Sequence, residues 1–133
     1  MMTTVVLDTN LLIAGRWNKK SSSLKIIESV ISGELNAVYS PRIRDENLFI
    51  LEKVKTPREY LDRIFKFMDC SQIVHPKTRA DVSRDKSDNM YLDAAVEGKA
   101  DYVISNDIHL LELKEYMGVK ILRPGEFMKE NWV

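Results

Sequence analysis

The stretch Val5-Val6-Leu7-Asp8-Thr9-Asn10 decides how the rest of this chain is read. Three apolar residues, two of them β-branched, give way at once to an acid, a hydroxyl and an amide. A short apolar run with β-branched residues reads as a buried strand. Asp8 then stands where that strand stops, and open α/β sheets bind ligands beyond the carboxyl ends of their strands. Two readings follow. Asp8 is an acid that holds a metal at the sheet edge, or Asp8, Thr9 or Asn10 merely caps a helix starting near Leu11. The stretch alone supports both equally.

Working outward, strands alternate with helices. Apolar runs at 36–40, 72–75, 101–105 and 119–122 read as further strands. Between them, Ser21-Ser22-Ser23 offers caps for a helix over 24–31, with Leu24, Ile27 and Ile31 at i, i+3, i+7 and Gly33 closing it. Ser40-Pro41 starts a helix to about Lys53, with serine as cap and proline in its first turn. Thr56-Pro57 starts another, with Glu59 at capping-box spacing and a stripe of Leu61, Ile64, Phe65 and Met68. Pro76 ends the third strand, and 77–86 is a charged loop. A helix over 90–98 carries Leu92, Ala95 and Val96. A short helix with Leu110, Leu111 and Leu113 ends at Gly118, and Pro124 opens a last helical turn. This alternation predicts a parallel sheet with helices on both faces.

The 133 residues suffice for one domain, 1–133, with a core that needs no disulfide staple. With 44% apolar and 30% charged residues the chain is of ordinary globular composition. No apolar run approaches the roughly 20 residues of a membrane span. The first residues, Met1-Met2-Thr3-Thr4, lack the basic and apolar regions of a secretion signal. Cys70 is the only cysteine, reads as a filler residue, and fits a reducing cytoplasm. Twenty basic and twenty acidic residues cancel, which argues against nucleic-acid binding through bulk positive charge but leaves a local patch or a metal open.

Four acids share one description. Asp8 follows the first strand and Asp107 follows the 101–105 strand. Glu46 lies on the helix after the second strand, and Asp88 starts the helix before the 101–105 strand. At about 100° per residue, Glu46 falls near the Ile43, Ile50 and Val54 stripe and leans over the sheet, whereas Asp45 faces water. Asp88 shares a face with Leu92, and Asp93 points about 100° away. In a parallel sheet all four positions approach the carboxyl edge. Convergent carboxylates repel and need a cation or raised pKa values. An all-oxygen set suits Mg2+ or Mn2+ and not zinc. His75 and His109 have no metal-ligand spacing and read as ordinary structural residues. Such an ion lowers the pKa of a water and supports in-line phosphoryl displacement, so the chemistry implied is phosphodiester hydrolysis.

Taken together, Leu7-Asp8-Thr9-Asn10, Ser40-Pro41 with Glu46, Arg84-Asp85-Lys86-Ser87-Asp88-Asn89, Ala100-Asp101-Tyr102-Val103-Ile104-Ser105-Asn106-Asp107 with Leu110-Leu111, and Ile121-Leu122-Arg123-Pro124-Gly125-Glu126-Phe127 resemble a PIN domain. The resemblance is to the branch classed as toxin components of toxin–antitoxin systems, related to the VapC-type toxins, and it spans nearly the whole chain. It implies a three-layer α/β/α fold with a central mainly parallel sheet of order 3-2-1-4-5. It also implies a Mg2+- or Mn2+-dependent ribonuclease. Asp8, Glu46, Asp88 and Asp107 match the family's catalytic and metal-holding acids. Asn10 and Ser105 match supporting polar residues, and Asp85 matches an extra acid of this branch. Two departures remove no ligand: Ser105-Asn106-Asp107 where many relatives read Thr-Gly-Asp, and Asp85-Lys86 where relatives often have Asp-Pro. The resemblance also suggests a homodimer and a small antitoxin whose tail blocks the acidic pocket.

The substrate implied is single-stranded or loop RNA, whose flexible backbone can reach a recessed ion. Candidate backbone contacts are Lys19, Lys20, Arg42, Arg44, Arg84 and Lys86, and Trp17 is placed to stack a base. Two other readings compete. One is an RNA-binding PIN module that is silent or held off by a partner. The other is a Mg2+-dependent phosphatase of the haloacid-dehalogenase type, which would need an acid where this chain has Asn10.

Overall fold

The computed structural model describes residues 2–16, 18 and 20–131. Strand β1 (Thr4–Leu7) leads into α1 (Thr9–Ala14) and α2 (Ser22–Ile31). Then come β2 (Asn36–Tyr39), α3 (Pro41–Lys53), α4 (Arg58–Cys70) and β3 (Gln72–Ile73). A long loop ends in a 3-10 turn (Lys86–Asp88) that runs into α5 (Asn89–Glu97). Next are β4 (Tyr102–Ile104), α6 (Ile108–Leu111), β5 (Glu115–Tyr116), β6 (Val119–Leu122) and α7 (Pro124–Asn131).

The strands alternate faces with period two, which builds two cores. Val5, Leu7, Ala37 and Ile104 pack with α1, α2, α4 and α7 residues such as Leu11, Ile27, Ile64 and Phe127. Val6, Val38, Val103 and Ile121 pack on the other face with Tyr91, Leu92, Ala95 and Leu110 of α5 and α6. Val5, Val6, Val103 and Ile104 are fully buried. Each such aliphatic side chain contributes about 1.5–3 kcal/mol by leaving water. Helices on both faces complete the three-layer α/β/α arrangement. Gly98 closes α5 against the sheet, where an added Cβ would meet Val38 Cγ2 at 2.8 Å.

The sheet runs β3-β2-β1-β4-β6-β5, parallel throughout except for the β5–β6 pair. The predicted order 3-2-1-4-5 therefore holds for the parallel strands, with β6 in the fifth position and an added hairpin strand at the edge. The hairpin explains Gly118, which does not end a helix. Met117 (φ 50°) and Gly118 (φ 83°) form the two-residue turn between Tyr116 and Val119. Two left-handed residues in a row match the twist of a tight hairpin, and glycine takes one at no steric cost.

Other boundaries shift for local reasons. Helix α1 starts at Thr9, because Asp8 itself is the cap. Ser21 caps α2, whose buried face is Ser23, Ile26, Ile27 and Val30, one position round from the expected stripe. Thr56 does not cap α4; its hydroxyl donates to the Leu51 carbonyl, closing α3 instead. On α4 the buried aromatic is Phe67, while Phe65 is exposed. On α3 the buried positions are Ile43, Asn47 and Leu51, so Glu46 is exposed and does not lean over the sheet. Asp93 turns inward, and its Oδ1 accepts the Ala80 N–H at 2.6 Å. Cys70 is exposed at the end of α4. No helix among the described residues is long and apolar enough to cross a membrane.

Candidate metal centre

Strand register sets the site. Leu7 pairs with Ile104, and Ile104 with Leu122, so β1 and β4 stop level at the carboxyl edge. One residue further on, the Asp8 N–H still donates to the Ile104 carbonyl at 3.0 Å. Ser105 therefore faces Asp8, and both are buried. The Ser105 hydroxyl donates to Asp8 Oδ2 at 2.6 Å and accepts the Asp107 N–H at 2.9 Å. One serine thus ties together the acids that follow β1 and β4. The other Asp8 oxygen, Oδ1, accepts the Asn10 N–H at 3.0 Å, the N-cap bond of α1. Asp107 caps α6 in the same way, accepting the His109 N–H at 2.8 Å. Asp8 and Asp107 thus serve as caps and meet at the site. Asn10 supports Asp8 through its backbone, and its side chain is exposed.

The third acid arrives from the loop before α5. Asp85 accepts from the Ser87 N–H and hydroxyl and so shapes the 3-10 turn that delivers Asp88. The loop is pinned to α5 by Asn89, whose Oδ1 accepts from the Val82 and Ser83 N–H groups. Asp85, Asp88 and Asp107 each bring a carboxylate oxygen within 4.8 Å of the others. Asp88 is buried, and its Oδ2 has no hydrogen-bond partner among the described residues. Its pKa is pushed up to about 8, first by burial, then by the adjacent Asp107 carboxyl and the charges of Asp107, Asp85 and Asp8. Burial also raises the Asp8 pKa, against the bonds from Ser105 and Asn10, and the Asp107 charge adds to the rise. Asp85 is held below the usual carboxylate range by its bonds from Ser87.

A buried carboxylate oxygen without a partner among the described residues, set among like charges, favours a positive charge beside it. Carboxylates alone make a hard donor set, and such a set fits a divalent cation of the Mg2+ or Mn2+ type. Glu46 stands apart from this group on the exposed side of α3, though its charge reaches Tyr91.

Behind Asp8 lies a polar network that the sequence pattern did not reveal. The Tyr91 hydroxyl donates to Thr9 Oγ1 at 2.9 Å and accepts the Thr9 N–H at 3.2 Å. Thr9 Oγ1 donates to Asn47 Oδ1 at 2.6 Å. Burial and the Asp8 charge raise the Tyr91 pKa, so the phenol stays neutral. The available signal was Asn47 itself, a polar residue four positions from both Ile43 and Leu51 on one helical face.

Of the candidate basic residues, Arg42 lines a shallow cavity of about 370 Å3 with Asp45, Glu46, Phe49, Ser87 and Met90. Arg84 is engaged by Glu112 in a two-bond ion pair of 2.7 and 2.6 Å. Lys20, Arg44 and Lys86 are exposed. Lys19 and Trp17 lie outside the described residues.

Comparison with known proteins agrees with this geometry. The chain is 32% identical over 141 residues to the protein MJ1680 of Methanocaldococcus jannaschii, named as uncharacterized, covering 95% of this chain and 90% of that one. The fold resembles a chain in the crystal structure of VapBC2 from Rickettsia felis bound to a DNA fragment from its promoter. That match has a TM-score of 0.58 at 13% identity, over 90% of this chain and 97% of that one. Residues 4–109 match the sequence profile of the PIN domain, and with a match of that extent the chain belongs to the PIN domain family.

Proposed function

We propose that this protein is a metal-dependent endoribonuclease that hydrolyses RNA phosphodiester bonds with water, and that it is the toxin of a toxin–antitoxin pair. The observation that carries the reading is the junction of Asp85, Asp88 and Asp107 within 4.8 Å, tied to Asp8 through Ser105. Asp8, Asp88 and Asp107 would hold Mg2+ or Mn2+, with Asp85 beside them. When bound, the ion supplies charge neutralisation at the scissile phosphate and a lowered pKa for the attacking water. Ser105 holds the Asp8 carboxylate in one orientation, and Asn10 does so through its N–H. Thr9, Tyr91 and Asn47 fix the backbone from which Asp8 projects. Glu46 is assigned the task of orienting the water or taking its proton from the rim, where it lies exposed on α3. No side chain is required as a covalent nucleophile.

Arg42, Arg44, Lys20 and Lys86 supply candidate contacts to an RNA backbone, with Lys19 and Trp17 in the adjoining segment. The toxin assignment, with a small antitoxin covering the acidic pocket and a homodimer as the working form, draws on the likeness to the VapBC2 chain and on family membership. A reducing cytoplasm remains the expected compartment, given one cysteine and no spanning helix among the described residues.

The test is incubation with RNA and Mn2+ or Mg2+ beside an EDTA control and the Asp8→Asn variant. Cleavage that needs the ion and is lost in Asp8→Asn is expected. RNA binding without any cleavage would replace the nuclease with a silent binding module. Phosphate release from a small phosphomonoester would favour a phosphatase.

A further inference from the structure

Apart from the Arg84–Glu112 pair, the side-chain hydrogen bonds that tie the 74–88 loop to a neighbouring element, among the described residues, come from α5. Asp93 holds Ala80, and Asn89 holds Val82, Ser83 and the Lys86 carbonyl. These bonds fix the loop to its own helix, not to the strand β4 side that carries Asp107. Yet the gap between the loop and Asp107 is where the like charges meet, and repulsion across it favours opening.

Arg84 and Glu112 span that same gap. Arg84 directly precedes Asp85, and Glu112 is the C-cap of α6, the single helical turn that Asp107 begins. Arg84 Nε meets Glu112 Oε1 at 2.7 Å, and Nη2 meets Oε2 at 2.6 Å. Among the described residues this is the only ion pair joining the loop to α6 and its cap. The guanidinium keeps the Glu112 pKa low, so both partners are charged at neutral pH. A two-bond fork fixes direction as well as distance, which a single lysine contact would not do. Exposed ion pairs add little to global stability, so the consequence of this one is geometric.

We infer that Arg84 and Glu112 are positioning residues, a clasp that holds Asp85 and Asp88 at binding distance from Asp107 and so sets the affinity for a divalent cation. This rests on the metal-dependent reading of the site above. It also gives Arg84 a different task from contacting RNA.

The test uses the full chain and Mn2+ alone, with affinity read by titration calorimetry. The variants are Arg84→Glu, Glu112→Arg and the double exchange. Plain Coulomb attraction predicts opposite signs, because Arg84→Glu adds negative charge near the cation and Glu112→Arg adds positive charge. The clasp predicts a loss of about tenfold in both, the scale of removing a residue that orients a metal ligand. It also predicts recovery in the double exchange to within about threefold of the parent. Unfolding midpoints in EDTA should stay close to the parent's. Should a reversal fail to fold, Arg84→Gln and Glu112→Gln carry the same prediction with a loss of about threefold, the scale of one lost exposed ion pair. Opposite signs, unchanged affinities, or a double exchange no better than the singles would overturn the clasp while leaving the nuclease reading intact. Weakened RNA binding in EDTA by Arg84→Glu at unchanged Mn2+ affinity would make Arg84 a phosphate contact instead. A parent protein that binds no Mn2+ would overturn both readings together.

Discussion

Asp8 and Asp88 are both buried acids at one sheet edge, but their surroundings differ. Each Asp8 oxygen accepts a hydrogen bond, and the residue extends a central strand with a neighbour on each side. Asp88 has an oxygen without a partner among the described residues, stands on a 3-10 turn at the end of a long loop, and carries a pKa pushed up to about 8. One corner is organised by the fold before any ion arrives. The other is built with a deficit that an ion can fill. On the proposed metal-dependent reading, one ligand is rigid and the others follow the cation, and fold stability and cation binding would be linked mainly through Asp88.

Neutralising each acid in turn separates the two corners most strongly. Asp8→Asn should lower ion-dependent RNA cleavage by about a thousandfold, the equivalent of several kcal/mol of lost transition-state stabilisation. Asp88→Asn should lower it comparably, yet raise the unfolding midpoint in EDTA at neutral pH, because the cost of keeping a buried carboxyl protonated, or of ionising it among like charges, is gone. If Asp88→Asn instead destabilises the ion-free protein, the deficit is absent and the two corners are alike.

A pH series comes next in size. The ordinary carboxyl pKa is about 3.9. Between about pH 4 and pH 8 the unfolded chain has therefore lost a proton that native Asp88 retains. The native state then binds more protons, so stability must fall as pH rises through this window, and it is greatest at its acid end. Asp8, also raised, acts in the same direction. Melting curves from pH 5 to pH 8 should slope downward in EDTA and flatten with Mn2+. A flat profile in EDTA would contradict the charge deficit.

Smaller effects probe the organised corner. Ser105→Ala leaves the buried Oδ2 of Asp8 without a donor and should cost about 1–3 kcal/mol in denaturant unfolding. It should also shift the Asp8 pKa upward. Tyr91→Phe removes the hydroxyl bonded to Thr9 and should cost about 1 kcal/mol, with a modest loss of cleavage rate. A larger loss in Tyr91→Phe than in Ser105→Ala would place the main support of Asp8 behind it instead of beside it.

Much of this arrangement was legible in the sequence because strand ends are. Val5-Val6-Leu7 and Tyr102-Val103-Ile104 are short apolar runs that stop at polar residues, and register converts those stops into neighbours. The cap reading of Asp8 holds, through Oδ1, and it leaves the metal reading open, because Oδ2 takes the Ser105 hydroxyl that also receives the Asp107 N–H. The α3 face was misread because apolarity marked Ile50 and Val54 while the fold buries Asn47, whose partner Thr9 lies 38 residues away. A hydrogen bond between distant residues leaves no periodic trace in either segment. The hairpin at Met117-Gly118 was missed for a similar reason: Glu115-Tyr116 is too short and too polar to read as a strand until it pairs with β6.

That hairpin has a consequence for how copies of this chain can meet. Both outer strands of the sheet, β3 and β5, are two residues long, and Pro76 follows soon after β3. So short an edge offers few free backbone donors and acceptors, and a proline offers no donor at all. Two molecules cannot extend one sheet through such margins with many bonds. Were copies of this chain to associate, helix faces and side chains would be the surfaces left for it, chemistry that can be tuned residue by residue without disturbing the strands that place the acids.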